Sequence, residues 1–328
     1  MTRHSERWMH TRGYRKIIII TGLVSLLVCC SRLPENNLDR KQAQPSPGIV
    51  FTSDRTNNWD LFLIQADGTG TTQLTDFPGV DADPAWSADG RKIAFRSRRD
   101  GSSDIFVMHP DGSNPINLIN DPETSLDDEF APQWSPDGET LSIYTDRFPP
   151  RGNCLSGFHQ VAMLVREAGN YQADLFETIA GEQYSSTWSP DGRYLAFSSS
   201  CNQTGFQLYV YDIQTGETRR LTSESTSHTH PAWSHDGLYL AFAKYVEGNN
   251  EIFLLNLETR QQTQITVHPA NDIMPTWSPD DTQIAFVSNR EGNKDIYIME
   301  ADGSRLQNLT NHPADDWHPS WSPVRQVP

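Results

Sequence analysis

Eight side chains in this sequence have the types and the spacing to do chemistry together. Trp-Ser pairs occur at Trp86, Trp134, Trp188, Trp233, Trp277 and Trp321. Five residues before these tryptophans stand Asp81, Glu129, Gln183, His228, Asp272 and Asp316. Three residues before them stand Asp83, Ala131, Ser185, His230, Met274 and His318. If the chain folds with a repeat around one axis, Asp81, Asp83, Glu129, His228, His230, Asp272, Asp316 and His318 gather at one opening. Carboxylates beside imidazoles could ligate a divalent cation. They could equally form a polar, acidic mouth for a basic peptide or protein, or cap local turns through Asx-type hydrogen bonds. Acid–base catalysis by a carboxylate pair is open to such a set, although the Asp/His alternation matches no recognised zinc motif.

The elements that must position these residues are repeated. Intervals between the tryptophans are 48, 54, 45, 44 and 44 residues. In five of the units a proline stands two residues before the Trp. Ser, often followed by Pro-Asp-Gly, comes after the Trp, and then an apolar strand such as Ile93-Ala94-Phe95 or Ile284-Ala285-Phe286. A third strand follows at Asp104–Met108, Phe206–Tyr211, Glu251–Leu255 and Asp295–Met299, then an Asp-Gly turn, then a polar strand ending in Leu-Thr. Asp-Gly supplies the positive φ of tight hairpins, and proline fixes an early turn position. Four short antiparallel strands per unit of this length, repeated, are the signature of a β-propeller.

Blade number is settled at the two ends. Residues 49–75 supply a second, third and fourth strand with no Trp-Ser strand before them, and residues 319–323 supply a Trp-Ser strand alone. Together they complete a sixth blade. The predicted fold is therefore all-β, a six-bladed propeller of four-stranded antiparallel blades. Its C-terminal strand pairs with the N-terminal blade, which protects the terminal edges. Each repeated Trp should wedge between adjacent blades, where an indole buries about 150–250 Å². Asp60, Asp104, Glu251 and Asp295 recur before the third strand, and that recurrence points to loop hydrogen bonding.

The Pro-x-Trp-Ser-Pro-Asp-Gly-x-x-(Ile/Leu)-Ala-Phe-x-Ser pattern, with Asp-Ile-Tyr and Ala-Asp-Gly after it, resembles the repeats of TolB-type propellers over residues 49–323. The resemblance implies an envelope protein that binds protein partners. Similar repeats occur in propellers attached to prolyl-oligopeptidase-like hydrolases. TolB proteins carry an α/β domain before the propeller, which residues 31–48 are too short to supply. No Gly-x-Ser-x-Gly nucleophile elbow occurs in the sequence.

Residues 1–30 read as an export leader. Arg3, Arg7, Arg12, Arg15 and Lys16 precede an apolar run from Ile17 to Val28, and Leu27-Val28-Cys29-Cys30 resembles a bacterial lipobox with Cys30 as the acylated residue. Ordinary secretion and an uncleaved anchor are the alternatives. Residues 31–48 contain three prolines and no periodic apolar positions, so they read as a flexible linker, with the propeller spanning 49–328. Cys154 and Cys201 remain after processing, in equivalent loops of neighbouring units, and in an oxidising compartment they are expected to form a disulfide. The formal net charge is −16. Losing the leader leaves 21 basic and 41 acidic residues, a net of −20. Such acidity argues against nucleic acid, whose phosphates need Lys/Arg-rich faces.

The function these features suggest is a monomeric, non-catalytic binding scaffold at the exported side of the bacterial envelope, attached to the membrane only by a lipid anchor. Its partner would be an envelope protein or peptide, of basic character if the acidic mouth is the docking point. No cofactor is expected, apart from the divalent cation considered above. The alternative is an envelope enzyme, or a small-ligand or glycan-binding protein, with its site in the central channel.

Overall fold

The computed structural model describes residues 48–119, 128–146, 159–167, 170–174, 182–200 and 205–323. The leader, Cys30, the linker up to residue 47, Cys154 and Cys201 lie outside the described residues. All regular structure in those segments is β, in six four-stranded antiparallel sheets. Blade I consists of β1 (Gly48–Ser53), β2 (Asp60–Gln65), β3 (Thr72–Gln73) and β24 (Asp316–Trp321). Blade II holds β4 (Asp81–Trp86), β5 (Ile93–Ser97), β6 (Asp104–Met108) and β7 (Ile116–Asn117). Blade III holds β8 (Glu129–Trp134), β9 (Thr140–Thr145), β10 (Gln160–Glu167) and β11 (Asn170–Asp174). Blade IV holds β12 (Glu182–Trp188), β13 (Tyr194–Ser200), β14 (Gln207–Asp212) and β15 (Thr218–Arg220). Blade V holds β16 (His228–Trp233), β17 (Tyr239–Val246), β18 (Asn249–Asn256) and β19 (Gln262–Gln264). Blade VI holds β20 (Asp272–Trp277), β21 (Gln283–Ser288), β22 (Asp295–Glu300) and β23 (Gln307–Asn308).

Ring closure follows the expectation from the two chain ends. β24 pairs with β1, with Ile49 opposite Trp321 and Ser53 opposite Asp316. Two bonds between Gly48 and Ser322 extend the seam, the Ser322 amide donating to the Gly48 carbonyl at 2.8 Å and the Gly48 amide to the Ser322 hydroxyl at 2.8 Å. The core is distributed along the blade-to-blade seams. Val50, Leu61 and Leu63 of blade I pack on Trp86, Phe95 and Phe106 of blade II. Ala285, Val287 and Ile296 of blade VI pack in the same way on Ile49, Phe51 and Trp321 of blade I. The VI–I seam is thus built like the others, as a closed ring requires.

The turns behave as their residues dictate. After Trp86, the Ser87 hydroxyl bonds to Asp89 at 2.7 Å and receives the Lys92 amide at 2.9 Å, while Gly90 takes a φ of 66°. Ser135 with Asp137, Ser189 with Asp191, and Ser234 with Asp236 repeat the arrangement. The acids before the third strand hold the loop after the fourth. Asp295 accepts from Asn308 at the end of the fourth strand at 2.9 Å and from the His312 amide beyond it at 3.3 Å, and Glu251 accepts from Thr266 at 2.6 Å and from the His268 amide at 2.8 Å. Both sets are local scaffolding.

Candidate functional site

Each innermost strand contains one irregularity, and it decides which side chains reach the channel. In blade II, Ala82 pairs with Arg96 and Ala85 pairs with Ala94, so Asp83 and Pro84 together stand opposite Phe95. That is a β-bulge, in which one extra residue re-aims the side chains that follow. The residue three before the Trp sits in the left-handed region in every blade. Its φ is 55° at Asp83, 43° at Ala131, 48° at Ser185, 52° at His230, 55° at Met274 and 53° at His318. None of these is glycine, so each holds a conformation that costs a Cβ-bearing residue on the order of 1 kcal/mol.

These six residues line a cavity on the ring axis of about 390 Å³. Its walls are the six repeated tryptophans, and Pro136, Pro190, Pro279 and Pro323 stand at one end. Trp86, Trp134, Trp277 and Trp321 are buried, and Trp188 and Trp233 are half-buried. The Trp188 and Trp277 indole N–H groups donate to Gln133 and Ala232 of the preceding blade, each at 3.1 Å. The indoles therefore seal the seams and wall the cavity at once.

The eight residues singled out from the sequence divide into two sets. Asp83, His230 and His318 line the cavity. Asp81, Glu129, His228, Asp272 and Asp316 do not, and are buried within the blades. Three of this second set meet an arginine two residues beyond the end of the paired strand. Asp316 bonds Arg55 at 2.9 Å, Asp81 bonds Arg99 at 2.9 Å, and Asp272 bonds Arg290 at 2.7 Å. The guanidinium groups also lie over aromatic faces, with Arg55 at 4.7 Å from Phe62, Arg99 at 4.8 Å from Phe106, and Arg290 at 4.8 Å from Tyr297. Burial raises the carboxyls of Asp81 and Asp316 above the usual range, against the pull of Ser97 and Arg99, and of Ser53 and Arg55. Blade V substitutes other chemistry. His228 bonds Glu224 at 3.1 Å and Thr226 carbonyl at 2.9 Å, and Glu224 also engages Lys244. Burial keeps the His228 imidazole below its usual pKa despite Glu224.

The cavity floor has a different character. Asp83 lies 2.8 Å from the Arg96 Nε and 3.1 Å from the His318 Nε2. Burial pushes the Asp83 carboxyl up, but His318, Arg96 and the Ala131 amide outweigh it and leave it below the usual range. Burial also depresses His318, opposed by Asp83 and reinforced by Arg96. His230 falls to about 3, through burial first and His318 second. His230 is thus neutral at physiological pH. Beneath them Phe130 stacks on Tyr144 at 5.3 Å, Tyr144 touches Tyr184 at 5.3 Å, and Tyr184 meets the edge of His230 at 5.4 Å. Burial raises both tyrosines. Asp83 is the only carboxylate among the lining residues, and no Lys or Arg joins it. Among the described residues no group of three or more His, Cys, Asp or Glu stands close enough to hold a metal ion.

Sequence reasoning missed the arginines and the polar group around Asp83. The arginines had a signal in Ser53-x-Arg55, Ser97-x-Arg99 and Ser288-x-Arg290, which recur after the second strand. Arg96, Tyr144 and Tyr184 occur once each at their positions, so the repeat carried no signal for them.

Comparison with known proteins bears on the fold and the family. A family model described as TolB beta propeller domain matches residues 44–148 and 165–327. The chain is 27% identical over 260 residues to Dipeptidyl-peptidase 5 of Porphyromonas gingivalis, covering 66% of this chain and 38% of that protein. It is 30% identical over 174 residues to the Protein TolB homolog of Chlorobium luteolum, covering 52% and 35%. The crystal structure of TolB from Acinetobacter baumannii superposes with a TM-score of 0.70 at 22% identity, over 85% of this chain and 66% of that one. The matched segments span little more than a third of either curated relative.

Proposed function

The chain belongs to the TolB β-propeller family, and on that premise we propose that it is a non-catalytic scaffold of the bacterial envelope that takes a segment of a partner protein into its central channel. The observation that carries this reading is the cavity of about 390 Å³ on the ring axis. Its walls are supplied by residues that every blade repeats, while its floor differs from blade to blade. A rigid frame with a variable floor is how one scaffold acquires a specific ligand. The lining holds one carboxylate, already paired with Arg96 and His318, so charge complementarity favours an uncharged segment entering the cavity. Asp81, Asp272 and Asp316 of the neighbouring ring are engaged by arginine and offer little to a basic partner.

The basic leader and the Leu27-Val28-Cys29-Cys30 segment support export and attachment through Cys30. A Cys154–Cys201 bridge, if formed, would stiffen the loops of blades III and IV, and non-reducing peptide mapping tests it. The scaffold reading is tested by a photocrosslinking residue in place of Met274 on the cavity floor, with Arg219 on the outer strand of blade IV as control. In cells, the Met274 position should capture a discrete envelope protein and the Arg219 position should not. Equal capture, or none, would overturn it.

A channel enzyme is the second reading, favoured by the Asp83–His318 contact of 3.1 Å. It would require the His318 Nδ1, now buried without a hydrogen-bond partner, to turn toward a substrate. Turnover of an envelope glycan or peptide that disappears in His318→Gln would favour it.

A further inference from the structure

Among the turns that depart from the repeated Ser-Pro-Asp-Gly, two touch each other. Blade V reads Ser234-His235-Asp236-Gly237, with His in the proline place. Blade VI reads Ser278-Pro279-Asp280-Asp281, with Asp in the glycine place. At three seams of the ring the glycine of one turn faces the proline of the preceding blade. A Cβ added to Gly90, Gly192 or Gly237 would lie 3.2, 3.8 or 3.9 Å from Pro323, Pro136 or Pro190. At the seam between blades V and VI the corresponding pair is His235 and Asp281. The Asp281 carboxylate accepts the His235 amide at 2.8 Å, the Asp236 amide at 2.8 Å and the His235 Nδ1 at 3.0 Å.

Each exception has a use only in the presence of the other. A proline at 235 would have no N–H to give, and a glycine at 281 would have no carboxylate to receive it. Two successive backbone N–H groups form a small concavity suited to an anion, and Asp281 fills it. Asp281 holds a φ of 57° to do so, a conformation that persists in a residue with a Cβ when its surroundings over-determine it. The consequence lies at the cavity. His235 is a lining residue with a side chain 53% exposed, whereas its counterparts Ala88, Pro136, Pro190, Pro279 and Pro323 are apolar. In the neutral form of the ring, Nδ1–H directed at the carboxylate leaves Nε2 as the acceptor.

We infer that Asp281 is a positioning residue of the channel mouth: it ties the turn of blade V to that of blade VI and holds His235 so that Nε2 accepts a hydrogen bond from the segment entering the cavity. The partner-facing half of this inference rests on the scaffold reading; the strut itself does not.

Asp281→Gly installs the residue carried by the turns of blades II to V, so the turn keeps its conformation and only the strut is lost. Amide exchange at His235 and Asp236 should accelerate about tenfold or more. Nitrogen NMR at pH 8 should show His235 passing from the Nδ1–H form to the Nε2–H form that a free imidazole prefers. Crosslinking from Met274 should fall about threefold or more, the loss of one hydrogen bond. The double variant His235→Pro with Asp281→Gly restores the repeat at both places, and should fold as the parent does while crosslinking no better than Asp281→Gly. Unchanged exchange at His235 and Asp236 together with an unchanged tautomer would overturn the strut. Undiminished crosslinking in both variants would overturn the role in recognition. Absence of crosslinking in the unaltered protein would remove the scaffold reading and the recognition role with it, while exchange and tautomer would still decide the strut.

Discussion

Two rings of side chains, two residues apart in the sequence, have opposite fates in this molecule. The ring five residues before each Trp is buried inside the blades and, in blades I, II and VI, paired with arginine. The ring three residues before each Trp lines the channel. In a regular strand the two would share a face, because side chains alternate with a period of two. The bulge begins at the second of them, whose left-handed φ turns its side chain away from that face, and the extra residue shifts the alternation of the side chains that follow. A repeated acid is therefore evidence of scaffolding here, and a residue that changes from blade to blade is evidence of a site.

The largest effect that would break this contrast comes from the outer ring. Asp81→Ala leaves the Arg99 guanidinium half-sequestered without its counter-charge, and should cost about 3–5 kcal/mol. Urea unfolding would register this as a fall in midpoint, and a change below about 1 kcal/mol would deny the ring its structural role. His230→Gln should do little at pH 8 but should flatten the pH dependence. Burial, with His318 beside it, pushes the His230 imidazole down from its ordinary 6.5 to about 3 in the folded protein. The unfolded chain therefore binds the extra proton, and stability should drop as pH falls from about 6.5 toward 3. Melts of the parent and the variant between pH 8 and pH 5 would check this, and parallel curves would contradict it. The smallest effect is expected at the bulge. Ala131 has a φ of 43°, so Ala131→Gly should gain up to about 1 kcal/mol by relieving the left-handed strain. A loss of stability there would mean that the bulge does not hold residue 131 as described.

How much was legible in the sequence follows the same division. The repeated tryptophans, the Asp-Gly turns and the two incomplete end segments specified the blades and their closure, because each is a local consequence of turn chemistry or strand period. The channel floor was half legible. Asp83, His230 and His318 were found by their spacing, but so were five residues that face elsewhere. The arginine partners were missed because each pair joins one strand to the loop after its neighbour, 18 positions apart for Asp81 with Arg99 and for Asp272 with Arg290, and 261 for Asp316 with Arg55.

The sequence by itself determined the fold, the number of blades and where the ring closes, since a period repeated along the chain needs no knowledge of distant contacts. Only the tertiary structure decided which acids are neutralised, which imidazoles meet the cavity, and that His235 and Asp281 complement each other. Those outcomes depend on a bulge that shifts the side-chain alternation by one residue, and on seams that bring together residues about 45 positions apart.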